Sequence, residues 1–230
     1  MLLGEEAAGR LNRASVALFG LGGVGGYAAE ALVRAGVGEL TLVDHDVIAP
    51  SNINRQILAD TRSVGRPKAE LAAGRVTAIN PECRVTPLKL FVSAENIAEA
   101  LPEGGPFDYI IDAIDTVSAK IEIIARAHAL GIPLISCMGT GGKLDPARFV
   151  IGSLAGSSVC PLARAVRRAL RARGFDARVE ALYSAETPLP SIMEAPGGRR
   201  APGSISYVPA CAGLMLAGRV IRALAGVEGG

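Results

Sequence analysis

The residues best suited to chemistry are Gly20, Gly22 and Gly25, spaced G-x-G-x-x-G, with Gly23 between them and Asp44 further on. Glycines at this spacing let the main chain approach a phosphate. A helix starting there offers that phosphate free N–H groups and the positive end of its dipole. An acid at the end of the next strand can accept hydrogen bonds from ribose hydroxyls. The plainer alternative is a glycine turn that only packs a helix on a strand.

A second group follows in Ser51-Asn52-Ile53-Asn54-Arg55-Gln56. Arg55 could neutralise phosphate charge, Asn52 could donate hydrogen bonds to it, and Lys68 adds another cation. Taken singly, Arg55 and Lys68 would pass as solvated side chains. Asp112 and Asp115 flank the turn Ala113-Ile114. One of these carboxylates could hold Mg²⁺ between two phosphates, as hard oxygen ligands do. The alternative is that Asp115 only assists Thr116 at a helix start. Together these groups make a nucleoside-triphosphate site, and they favour ATP over a nicotinamide cofactor. Hydride transfer needs neither a metal carboxylate nor cations beyond those on the pyrophosphate, so a dehydrogenase is disfavoured.

The elements that must position these groups are legible as apolar runs and stop signals. Strands are expected at Val16–Phe19, Leu40–Val43, Arg84–Leu90, Asp108–Ala113, Pro133–Cys137, Phe149–Ile151 and Val179–Tyr183. Helices are expected at Val24–Ala35, Lys68–Ile79, Glu95–Leu101, Leu162–Arg173 and Val208–Ala225. A further helix should start at a Thr116 cap and run to Leu130, with Gly131 ending it, and Met1–Arg13 reads as part of another. The long polar connection 45–67 has the length of a functional loop. Residues 186–204, rich in Pro and Gly, read as a mobile loop. The expected fold is Rossmann-like α/β: a doubly wound, mostly parallel sheet with helices on both faces. It forms one domain over 1–230, with a core at 14–152 and a C-terminal part at 153–230.

Half of the 230 residues are apolar and few are aromatic, which suits helices laid on a parallel sheet. A net charge of +2 does not by itself demand nucleic acid. Arg164, Arg167, Arg168 and Arg171 nevertheless recur at one-face helical spacing, and Arg199 and Arg200 lie in the proline-rich loop. Such cations could track RNA phosphates or form an ordinary solvated face. The four cysteines form no C-x-x-C pair, which disfavours a structural zinc site and a disulfide framework. No secretory signal is visible, and the apolar run Val208–Ala217 is too short to span a bilayer. A cytoplasmic protein without a membrane span is expected. His45 and His128 read mainly as packing or surface residues, and Cys137 as a small core residue at a strand end.

Gly20-x-Gly22-Gly23-x-Gly25, Asp44-x-Asp46, Ser51-Asn52-x-Asn54-Arg55-Gln56, Gly65-x-x-Lys68 and Asp112-x-x-Asp115 resemble the signature of an adenylyltransferase superfamily. Its members include ubiquitin-activating, molybdopterin-synthase and thiamine-biosynthesis enzymes. Within it, three stretches are similar to the tRNA threonylcarbamoyladenosine dehydratase group. They are Ile79-Asn80-Pro81-Glu82-Cys83, Gly139-x-Gly141-Gly142-x-x-Asp145-Pro146, and Tyr183-Ser184-x-Glu186 followed by Gly203-Ser204-Ile205-Ser206.

The resemblance implies ATP and Mg²⁺ as cofactors and a modified adenosine beside the tRNA anticodon as substrate. It implies adenylation of a carboxylate, then cyclisation with loss of AMP. It places Gly20, Gly22, Gly23, Gly25, Asp44, Asp46, Asn52 and Asp112 in the nucleotide site, Arg55 and Lys68 at the phosphates as catalytic cations, and Asp115 on the metal. It also implies a homodimer and admits a sulfur-handling partner protein. In the superfamily an arginine-bearing segment precedes the position of Met1, and Arg10 and Arg13 fall too late to replace it. Ala181 stands where some relatives carry a cysteine, so no thioester is expected there. The main alternative is activation of a ubiquitin-like sulfur carrier; a non-catalytic nucleotide-binding scaffold is another.

Overall fold

The computed structural model describes residues 2–176, 178–190 and 202–227. In chain order the elements are α1 (Gly4–Arg13), β1 (Ser15–Phe19), α2 (Gly25–Arg34), β2 (Glu39–Val43), α3 (Lys68–Ile79), β3 (Arg84–Leu88) and α4 (Ile97–Ala100). There follow β4 (Tyr109–Asp112), α5 (Val117–Leu130), β5 (Leu134–Cys137), β6 (Phe149–Ser153), α6 (Pro161–Ala172), β7 (Glu180–Ser184) and α7 (Tyr207–Ala225).

The seven strands form one sheet in the order β3-β2-β1-β4-β5-β7-β6. Every pairing is parallel except β6 with β7. This matches the expected fold class. The chain winds outward from β1 through β2 to β3, then returns to place β4 on the other side of β1. That reversal opens a crevice at the carboxyl ends of β1 and β4, where open α/β sheets bind ligands.

Strand β1 is buried along its whole length and alternates between two cores. Val16 and Leu18 join Leu40 and Leu42 beneath α2 and α7, and Ala17 and Phe19 join Val43 and Ile110 beneath α4 and α5. Helix α3 begins after Pro67 and ends before Asn80-Pro81, as its punctuation requires. Helix α5 ends at Gly131 in the left-handed conformation (φ 67°), but Thr116 makes no side-chain cap, contrary to expectation. Helix α7 has the length and composition that could cross a membrane, a test that a buried core helix also passes. Here its Val208, Ala212, Leu216 and Val220 are completely buried, and it packs against α2 and α1.

The long connection 45–67 closes on itself: Ile48 N–H donates to the Arg66 carbonyl, and Lys68 N–H donates to the Asp46 carbonyl. This closure brings Lys68 beside Asp46. Within the proline-rich loop, residues 191–201 lie outside the described residues, so its expected mobility does too. Its two ends are tied to the 139–145 segment. Leu189 N–H donates to Gly142, Gly142 N–H donates to Gly203, and the Glu186 carboxylate accepts the N–H groups of Leu144 and Asp145.

Candidate active site

A crevice of about 290 Å³ opens over the carboxyl ends of β1, β2 and β4. Its floor is the glycine turn. Gly20 has φ 85°, and a Cβ there would fall 2.7 Å from the Ala113 carbonyl oxygen, so only glycine fits between β1 and the β4 turn. Gly22 and Gly23 face the crevice. Gly25, expected to contact the ligand, does not line it. A Cβ on Gly25 would lie 1.7 Å from the Gly20 carbonyl oxygen, so this glycine serves the close seating of α2 on β1.

Asp44 sits at the end of β2, 9% exposed. One carboxylate oxygen accepts Leu21 N–H at 2.7 Å and the other accepts Asp46 N–H at 2.8 Å. Asp44 therefore braces the glycine turn, and each oxygen keeps a lone pair for a ribose hydroxyl. Asp46 is half exposed and pairs at 2.8 Å with the buried Lys68 ammonium. Asn52 uses its Oδ1 to accept Ala49 N–H at 3.0 Å, which leaves its amide N–H₂ for a ligand. Arg55 donates from one guanidinium nitrogen to the Ser51 carbonyl (2.8 Å) and to Asn54 Oδ1 (2.9 Å). It pairs with no carboxylate among the described residues. Asp44, Asp46, Asn52, Arg55, Lys68 and Asp115 all line the same crevice.

Asp112 and Asp115 prove to be very different groups. Asp115 is exposed, and among the described residues the Thr116 hydroxyl donates to it at 3.5 Å. A free carboxylate of this kind suits Mg²⁺, which keeps several waters and takes phosphate oxygens alongside one or two carboxylates. Asp112, expected in the nucleotide site, is 0% exposed and bound to the equally buried Lys120. The strand alternation explains this: Asp112 follows Ile110 onto the face covered by α5.

Several lining residues were given no role in the sequence reading. Leu90, Phe91 and Val92 form an apolar wall with Val43, the surface an adenine ring needs. His45 also lines the crevice, edge-on to Phe91 at 4.8 Å and 3.2 Å from Asp46. Thr140, Ser204 and Pro209 close the other parts. Gln56 lies in the wall, and its Oε1 is enclosed without a hydrogen-bond partner among the described residues. Asn54 Nδ2 donates to the Ser204 carbonyl at 3.1 Å and joins the Arg55 segment to the approach of α7.

Outside the crevice, Arg10 donates to the Ala225 carbonyl at the end of α7 and is committed there. On α6, Arg167 is drawn inward to Ser157, which corrects the four-arginine face. Arg164, Arg168 and Arg171 remain exposed at i, i+4 and i+7. Gly139 packs beside Cys160 and Leu162, so the start of this helix adjoins the loop carrying Thr140. Cys137 is buried, and burial pushes its thiol up to about 12, as expected for an inert core residue. His128 packs edge-on to Phe175 at 5.7 Å.

The sequence matches the ThiF family over residues 1–229. It is 38% identical to a Bacillus subtilis (strain 168) protein named tRNA threonylcarbamoyladenosine dehydratase, across 97% of this chain and 92% of that protein. An Escherichia coli (strain K12) protein of the same name is 43% identical, across 74% of this chain and 63% of that one. The crystal structure of E. coli tRNA N6-threonylcarbamoyladenosine dehydratase, TcdA, in complex with ATP is similar with a TM-score of 0.86 at 35% identity. That match covers 99% of this chain and 93% of the other.

Proposed function

The chain belongs to the ThiF family, and from that premise we propose that it is an ATP-dependent tRNA threonylcarbamoyladenosine dehydratase. The carboxylate of the threonyl group attacks the α-phosphorus of ATP, and the bond to pyrophosphate breaks. A carbamoyl nitrogen then attacks the activated acyl carbon, gives up its proton, and expels AMP. The net change in the nucleoside is ring closure with loss of water. No side-chain nucleophile is needed.

This chain supplies binding and electrostatics. Gly22 and Gly23 let the triphosphate lie over the start of α2, and Asp44 takes the ribose. Leu90 to Val92 take the adenine, and Asn52, Arg55 and Lys68 meet the charge that builds on the phosphates. Asp115 would hold Mg²⁺, which would supply charge neutralisation at the phosphates. The reading rests on one observation above all. A guanidinium with no carboxylate partner among the described residues, a lysine ammonium, an exposed carboxylate and two close-approach glycines line a single crevice. The exposed Arg164, Arg168 and Arg171 of α6 are the cations offered to tRNA phosphates, so tRNA affinity should fall steeply with salt.

The test is incubation with ATP, Mg²⁺ and tRNA carrying threonylcarbamoyladenosine, followed by mild digestion and mass spectrometry. The expected result is cyclised nucleoside with matching AMP, both lost in Asp115→Ala. AMP formed only with a small ubiquitin-like protein would turn the reading to carrier activation. An empty crevice in the presence of ATP would end it.

A further inference from the structure

Behind the crevice lies a sealed polar cluster with no direct part in the reaction above. The Lys120 ammonium is 0% exposed. It donates to Asp112 Oδ2 at 2.8 Å, to Ser136 Oγ at 3.2 Å and to the Cys137 carbonyl at 2.7 Å. These contacts use all three of its protons. The Ser136 hydroxyl donates in turn to Asp112 Oδ2 at 2.6 Å. The other Asp112 oxygen accepts Ile114 N–H at 3.1 Å.

The cluster thus joins three pieces of chain where they enter the crevice. Asp112 ends β4, and the turn it grips through Ile114 carries Asp115. Ser136 and Cys137 end β5, and the chain runs from them through Met138 to Thr140 in the crevice wall. Lys120 lies one turn into α5, whose Ala119 also lines the crevice. Two apolar side chains of similar volume would fill this space with less desolvation, so stability alone does not call for a buried ion pair. What apolar groups cannot supply is a directional grip on the Ile114 N–H and the Cys137 carbonyl.

We propose that Lys120 is a positioning residue for adenylation. Paired with Asp112, it holds the Ala113–Asp115 turn and the Cys137–Thr140 segment in fixed register, so that the Asp115 carboxylate meets the triphosphate already oriented. The consequence for turnover rests on the role given to Asp115 above; the mechanical link rests on the hydrogen bonds alone.

The double variant Asp112→Leu/Lys120→Met removes both charges together and avoids stranding one of them. It should melt within about 5 °C of the parent. Exchange of the Ile114 amide should quicken by roughly tenfold or more as its acceptor is lost. The kcat for AMP release should fall by roughly tenfold while the KM for ATP stays within about threefold, the pattern of a lost transition-state contact. Ser136→Ala is the milder probe should the double variant fail to fold. It should show the same two changes at roughly threefold to fivefold.

An Ile114 amide that exchanges as in the parent would overturn the proposal. So would a quickened amide with parental kcat, which would make the pair plain core. Asp115→Ala in the parent background separates the two claims. Retained turnover there would refute the metal role of Asp115, and Ile114 exchange would still judge the clamp.

Discussion

Two Asp–Lys pairs of equal length stand on either side of the crevice lining, and they behave as opposites. Asp46 and Lys68 meet at 2.8 Å with the carboxylate half exposed, whereas Asp112 and Lys120 meet at 2.8 Å with both side chains at 0%. Water reaches the Asp46 carboxylate of the first pair and competes for it, although the Lys68 ammonium is buried. In the function proposed above, Lys68 would pass from Asp46 to a phosphate. No solvent reaches the second pair, and its strength comes from having every donor and acceptor committed. Distance is the same in both; access to solvent is what separates them.

The largest effect expected from breaking this contrast is on stability. Lys120→Met strands a buried carboxylate and should cost about 3–5 kcal/mol in urea unfolding. A loss below about 1 kcal/mol would put the sealed pair on the same footing as the open one. Next comes Lys68→Ala, which should reduce AMP release by about 10²-fold, near 2.7 kcal/mol of barrier. Its stability should move by no more than about 1 kcal/mol. Undiminished turnover would make Lys68 merely a partner for Asp46.

The smallest effect concerns Glu186, an anion held by main-chain donors and lying between the two extremes. The N–H groups of Asp145 and Leu144 hold its carboxyl below the ordinary value of 4.5. A depressed carboxyl stabilises the fold above its unfolded value, and that contribution disappears as pH falls through the folded value. Glu186→Gln should therefore melt slightly below the parent near neutrality, and the two curves should converge in acid beneath the ordinary carboxylate range. Convergence toward neutral pH would show the opposite sign and release Glu186 from its tethering role.

The site was legible to an uneven degree. Asp44, Asn52, Arg55 and Lys68 could be placed because each sits at a strand end or in a loop next to the glycine turn. Helix α3 was legible to the residue because Pro67 and Asn80-Pro81 mark both ends. Gly25 could be read as phosphate-facing or as packing, and the 1.7 Å clash with Gly20 decides for packing. Lys120 looks like any helical lysine between Ala119 and Ile121. Arg167 has the spacing of its neighbours, yet its guanidinium turns inward because the Ser157 carbonyl and hydroxyl lie within its reach. Thr140, Ser204 and Phe91 belong to distant segments that only folding brings to the crevice.

Sequence alone determined the order of strands and helices, the glycine turn with its acid, and the placing of Arg55 and Lys68 in the connection and helix start that follow it. Periodicity and stop signals are local, and they specify which face of an element is apolar. Only the tertiary structure decided that β7 inserts between β5 and β6, and that Asp112 is sealed while Asp115 stands open. Periodicity names the buried face but not the neighbour waiting there. For Asp112 that neighbour is an ammonium from a following helix and a hydroxyl from the next strand, and their approach turned a candidate ligand into part of the frame.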